Sequence, residues 1–150
     1  MAGPRPLATA DASLVIDVTA NDAVLERLSD FPTRERTWVS ASVGALARRL
    51  FLYLVRAEQF DTKDFRERVY PYLAEEKELV DSQTFPREGV GCWHPVFPAQ
   101  ADDMTLLASC AVKELDSFMT RAQHGPKLVV FEQQLDDNGF IVGVERKEVE

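Results

Sequence analysis

Histidine and cysteine are scarce in this sequence, with two of each among 150 residues. That scarcity removes most catalytic plans built on imidazole relays and most metal cages built on thiolates. Cys92 stands in a Gly/Pro-rich stretch and Cys110 in a helical pattern, so the pair offers no disulfide framework. Long hydrophobic runs are also missing. The densest, Leu50 to Val55, is far too short to cross a bilayer. The opening residues Met1 to Leu7 contain no apolar h-region, so neither a signal peptide nor a membrane anchor is expected there, and a cytoplasmic location is.

Phosphate and hydrolase signatures are missing as well. Gly89-Val90-Gly91 lacks the third glycine and the strand-to-helix setting of a dinucleotide fingerprint. There is no Walker-type Gly-Lys-Ser/Thr, no Gly-x-Ser-x-Gly elbow and no His-Glu-x-x-His. Enzymatic activity, a cofactor and a metal are therefore not expected. Basic charge is in deficit too: 25 acids against 17 bases give a net charge of −8. That balance disfavours nucleic acid, whose binding needs a basic face, and favours a basic protein partner.

The chain has the length and composition of one globular domain. It is 45% hydrophobic and 28% charged, outside the regime of disordered chains. Residues 1–12 are Pro/Ala-rich without periodicity and are expected to be a flexible arm, leaving residues 13–150 as a single domain. Leu14 to Val18 reads as a strand. Asn21 can cap a short helix bearing Val24, Leu25 and Leu28, with Pro32 ending it. From Trp38 to Glu58, the spacing of Val39, Val43, Leu46, Leu50 and Leu54 predicts a second helix. A third begins after Asp61 or Thr62, is expected to end or kink at Pro71, and resumes over Tyr72 to Val80.

Residues 81–100 carry three prolines and form an irregular loop that also holds Phe85, Val90, Trp93, Val96 and Phe97. Ala101 to Gln123 predicts a helix with Met104, Leu107, Ala108, Ala111, Leu115 and Phe118 facing the core. Asp102 and Asp103 complement its N-terminal dipole. Asn138-Gly139 between two apolar runs predicts a C-terminal hairpin. The expected fold is α+β, with about four helices packed on a small, mostly antiparallel sheet made from the N-terminal strand and the hairpin.

Candidate chemistry is thin. Cys92-Trp93-His94 brings a thiol and an imidazole close in sequence, but supplies neither a third orienting group nor four metal ligands. His124 suits a helix C-terminus, and Cys110 a core position. Between Phe31 and Arg56, Arg34, Arg36, Arg48, Arg49 and Arg56 face Glu35 alone, and Arg34 with Arg36 marks a weak anion or partner site. The stronger expectation is partner binding through the solvated acids Glu75, Glu76 and Glu78, through Asp102 and Asp103, and through the aromatic anchors Trp93 and Phe97.

The function expected on these grounds is an acidic module that neutralises or restrains another protein, as an immunity protein restrains a toxin. The alternatives are an accessory or scaffold subunit of a larger assembly, phage-like or secretion-related, and a small ligand-binding enzyme using Cys92 and His94. The identity of the partner and the oligomeric state are open at this point.

Overall fold

A computed structural model describes residues 12–30, 34–81, 101–121 and 125–149. Along the chain run strand β1 (Leu14–Asp17), helix α1 (Asp22–Ser29), β2 (Arg36–Val43), a short 3-10 turn (Ala45–Ala47), β3 (Arg49–Ala57), α2 (Thr62–Asp81), α3 (Ala101–Thr120), β4 (Lys127–Leu135) and β5 (Ile141–Val149). The strands form one sheet in the order β1-β2-β3-β4-β5. β1 lies parallel to β2 and the other neighbours are antiparallel.

The class is α+β, but the arrangement differs from the expected one in two ways. The sheet has five strands and is mixed, and the described residues hold three helices. The decisive difference lies in residues 38–58. They are not a helix but the hairpin β2–β3, with Trp38 paired to Val55 and Val43 to Leu50.

The physical reason is burial on both faces. Phe51, Tyr53 and Val55 join a cluster with Leu25, Leu28, Trp38, Phe60, Phe65 and Val69, under α1 and α2. Leu50, Leu52 and Leu54 point the other way and join Val39, Leu107, Ala111, Phe118, Val129 and Phe131, under α3. A strand apolar on both sides loses the period-2 alternation by which strands are read. Its large residues then fall by coincidence at helical spacing. The aromatic and β-branched enrichment of residues 51–55 was the signal for a strand.

Pro71 neither ends α2 nor splits it; one helix runs from Thr62 to Asp81. Pro71 itself is exposed. The smaller features follow the sequence. Asn21 caps α1, its side chain accepting the Ala23 N–H at 2.9 Å. Asp61 accepts the Asp64 N–H at the head of α2. Phe65 and Val69 are buried. On α3, Leu107, Ala111 and Phe118 are buried as expected, whereas Met104 (37% exposed) and Ala108 are not. No helix among the described residues is long and apolar enough to cross a membrane.

The two-sided burial of β3 predicts a steep contrast. Leu54→Ala should cost about 2–5 kcal/mol in urea unfolding, because Leu54 is fully buried. Tyr70→Ala, at a residue 71% exposed, should stay within about 0.5 kcal/mol. Similar losses at the two positions would contradict this packing.

Candidate functional site

One end of the sheet gathers strained backbone and a dense cluster of charged groups among the described residues. There the β2–β3 turn, residues 44–48, meets the C-terminal half of α2 and the overhanging β4–β5 hairpin. The turn is tight and strained. Leu46 and Ala47 both adopt left-handed backbone, with φ of 59° and 52°, a region costly for residues with a Cβ. Three contacts hold it. Gly44 N–H donates to the Arg49 carbonyl, Gln133 N–H donates to the Arg48 carbonyl, and the Glu76 carboxylate accepts the Ala45 N–H. A Cβ on Gly44 would stand 2.7 Å from Glu76 Oε2, so a larger residue there would push this carboxylate away from the Ala45 N–H.

Arg49 binds this corner together. Its Nη1 donates to Glu75 at 2.7 Å and lies 3.5 Å from Glu76, while Nε and Nη2 donate to Glu132 at 2.9 and 2.8 Å. Its guanidinium also sits 6.0 Å from the centre of the Tyr72 ring. Lys147 closes the cluster, donating to Glu132 at 2.6 Å and lying 3.4 Å from Glu145. Burial opposes ionisation of Glu132, but the bonds from Lys147 and Arg49 outweigh it and hold the carboxyl below its ordinary range.

Beyond this charged base the hairpin projects past β3, whose pairing with β4 stops at Arg49 opposite Glu132. Asp136 organises the tip. Its carboxylate accepts the N–H groups of Asn138 and Phe140, both at 2.9 Å, and its own N–H donates to the Phe140 carbonyl. The Phe140 N–H above all holds the Asp136 carboxyl below its ordinary range. Gly139 takes φ +84°, the conformation that makes glycine the apt residue in this turn.

The register breaks between Gln134 and Leu135. Leu135 faces Ile141 and Gln134 faces Gly143, which leaves Val142 as the bulged residue. The outcome is a fixed loop that exposes Phe140 (71%) and Val142 (68%) beside Leu135. β5 is the sheet's last strand, and among the described residues no strand pairs with its outer side.

The expected site residues are distributed as follows. Glu75 and Glu76 both reach Arg49, so they are engaged within the molecule. Glu76 is buried rather than solvated, while Glu75 and Glu78 are exposed. Asp102 and Asp103 sit in the first turn of α3, on the opposite face of the sheet from α2, so the two acidic groups are not brought together. Arg34 is exposed. Arg36 is 2% exposed and packs 5.3 Å from the centre of the Trp38 ring, so the two do not form a joint surface site. Trp93, Phe97, Cys92, His94 and His124 lie outside the described residues, as does the expected arm except for Ala12. Among the described residues, no three His, Cys, Asp or Glu side chains converge to hold a metal ion.

Sequence reasoning read the Asn-Gly turn but passed over its occupants Phe140 and Val142. An aromatic directly after an Asn-Gly turn, outside any buried stripe, was the available signal.

A second ionic cluster lies on the α3 side. Arg146 grips Glu114 with two bonds, at 2.7 and 3.0 Å, and Lys127 approaches the same carboxylate at 2.8 Å. Glu148 completes it through Arg146 and Lys127. Glu114, Lys127 and Glu148, with Ser117, Arg121 and Pro126, line a polar cavity of about 340 Å³. The Arg146 bonds, helped by Lys127 against burial, depress the Glu114 pKa to about 2. Here α3 is clamped to β4 and β5.

Two predictions follow from these clusters. Glu76→Ala leaves the Ala45 N–H buried without an acceptor and should cost about 1–3 kcal/mol, whereas Glu75→Ala should cost less than about 1 kcal/mol; chemical denaturation distinguishes them. Glu114 is more acidic folded than its ordinary 4.5. Its contribution is therefore complete above that pH and is lost as the pH falls toward about 2. The stability gap between the wild type and Glu114→Gln should narrow over that window, and a constant gap would contradict the clamp.

No protein-family model matches the chain. The chain is similar to the ATP-dependent ubiquitin transferase-like protein Cap2 of Enterobacter hormaechei subsp. hoffmannii (strain UCI 50), at 31% identity over 126 residues. The match covers 83% of this chain but 20% of Cap2, so the chain spans about one fifth of the length of that curated relative.

Proposed function

We propose that this chain is an acidic protein-binding module of a ubiquitin-transferase-like system, acting in the cytoplasm by docking a partner on the hairpin end of its sheet rather than by catalysis. The observation that carries this reading is the exposure of Phe140 at the end of a turn locked by Asp136, with Val142 exposed two residues further on in β5. A turn whose backbone is already fixed loses less entropy on binding, and aromatic residues dominate interface energetics. The surroundings suit a basic partner: the exposed acids Glu75, Asp136, Asp137 and Glu145 stand against the exposed base Arg48. The outer side of β5, on which no described strand pairs, adds backbone groups that can receive an extended strand.

The likeness to Cap2 supports the transferase-like setting. Because the relative is about five times the matched length, the reading assigns this chain a part in such a system and not its ATP-dependent step. The same end of the sheet also suits a restraining role of the immunity type, supported by the net charge of −8. The two roles separate on whether the partner keeps its own activity once bound.

The test is affinity capture from the native host with the wild type and with the double variant Phe140→Ser, Val142→Ser, eluted by a salt gradient. The wild type should retain a ubiquitin-transferase-like or ubiquitin-like protein that salt weakens, and the variant should lose at least ten-fold of it. Equal retention by the variant, or capture of only unrelated proteins, would overturn the reading.

A further inference from the structure

The two hairpins of the sheet meet the same backbone demand with different residues. The β4–β5 turn uses Asn138-Gly139, with Gly139 at φ +84°, the pair that left-handed hairpin turns favour. The β2–β3 turn needs left-handed backbone at two successive positions and fills them with Leu46 and Ala47. The Arg48 N–H closes this turn on the Ala45 carbonyl at 3.2 Å. Each left-handed residue with a Cβ carries a conformational cost that glycine or asparagine would reduce.

A further cost sits at the same corner. Gln133 is 8% exposed, and among the described residues its side-chain Nε2 has no hydrogen-bond partner. A buried donor left unmet is destabilising. Gln133 is tied directly to the turn, since its N–H donates to the Arg48 carbonyl at 2.9 Å. Just beyond it, between Gln134 and Leu135, the register of the β4–β5 hairpin breaks.

The Glu76 carboxylate opposes these costs. It accepts the Ala45 N–H, and its other oxygen lies 3.5 Å from Arg49. Of the three contacts described for the turn, this one alone comes from outside the sheet, from α2. Residues held in strained conformations by their surroundings recur in switch regions.

We infer that the β2–β3 turn is a two-state element latched by Glu76. The latched arrangement is the major one. In the minor one the Ala45 N–H leaves Glu76, Leu46 and Ala47 leave the left-handed region, and Gln133 moves with them. The Arg48–Gln133 bond carries the change into β4, next to the register break and the turn that ends at Phe140. A partner that favours one arrangement of the hairpin thereby shifts the latch. That consequence rests on the docking proposed above, whereas the exchange belongs to the chain alone.

Backbone amide relaxation dispersion on the full chain, without a partner, tests it. Leu46, Ala47, Arg48 and the amides from Gln133 to Phe140 should exchange with one common rate and population. Glu76→Ala should raise the minor population about ten-fold. Ala47→Gly should lower it about five-fold, because glycine removes the strain that drives the exchange. Ala47 is fully buried, so Leu46→Asn is the second variant, with the same sign; Glu76→Gln serves likewise beside Glu76→Ala. Flat profiles in both the wild type and the Glu76 variants would overturn the inference. Exchange confined to the turn, or a response of the same sign to the Glu76 and turn substitutions, would overturn it equally.

Discussion

The fold depends on covering β3 from both sides. Its residues 50–55 supply large side chains alternately to two separate cores, one under α1 and α2 and the other under α3. At about 25 cal/mol per Å² of apolar surface, such a doubly buried strand is the main driving force for association of the layers. Each neighbouring element exists in the fold because it closes one side of that strand. β2 and β4 satisfy its backbone, α2 brings Phe65 and Val69 to one face, and α3 brings Leu107, Ala111 and Phe118 to the other.

Polar interactions then fix what hydrophobic burial leaves loose. The Arg49 cluster ties α2 to the β2–β3 turn and to β4, holding two left-handed residues in place. The Glu114 cluster does the corresponding work for α3 against β4 and β5. Tyr53, at the centre of the sheet, donates to Asp64 at 2.7 Å, and Arg68 joins that carboxylate to the Val149 carbonyl. Burial, reinforced by Asp64, pushes the Tyr53 hydroxyl well above its ordinary pKa. These bridges join separate elements, so the hairpin that carries Phe140 stands on a braced base.

Much of the periphery was legible in the sequence and the centre was not. Asn21, Asp61, Asn138-Gly139 and the first strand each announce themselves through local chemistry, a cap or a turn, and the structure has them in those roles. β2 and β3 misled because burial on both faces erases alternation, leaving Val39, Val43, Leu46, Leu50 and Leu54 to imitate a helix. The acids behaved similarly. Nothing local distinguishes Glu76, which a tertiary contact buries against Gly44 and Ala45, from its exposed neighbours Glu75 and Glu78. On α3 the periodic residues formed two stripes, and sequence alone merged Met104 and Ala108 into the buried one.

The central claim is that the hairpin end of the sheet is where a partner docks. Hydrogen–deuterium exchange of the chain, alone and with a ubiquitin-transferase-like protein from the same host, tests it most directly at a fixed chain concentration. The account predicts slowed exchange concentrated in residues 135–149, with the β2–β3 turn affected less and α1 unchanged. Slowing confined to α1 or α3, with residues 135–149 exchanging as before, would contradict it.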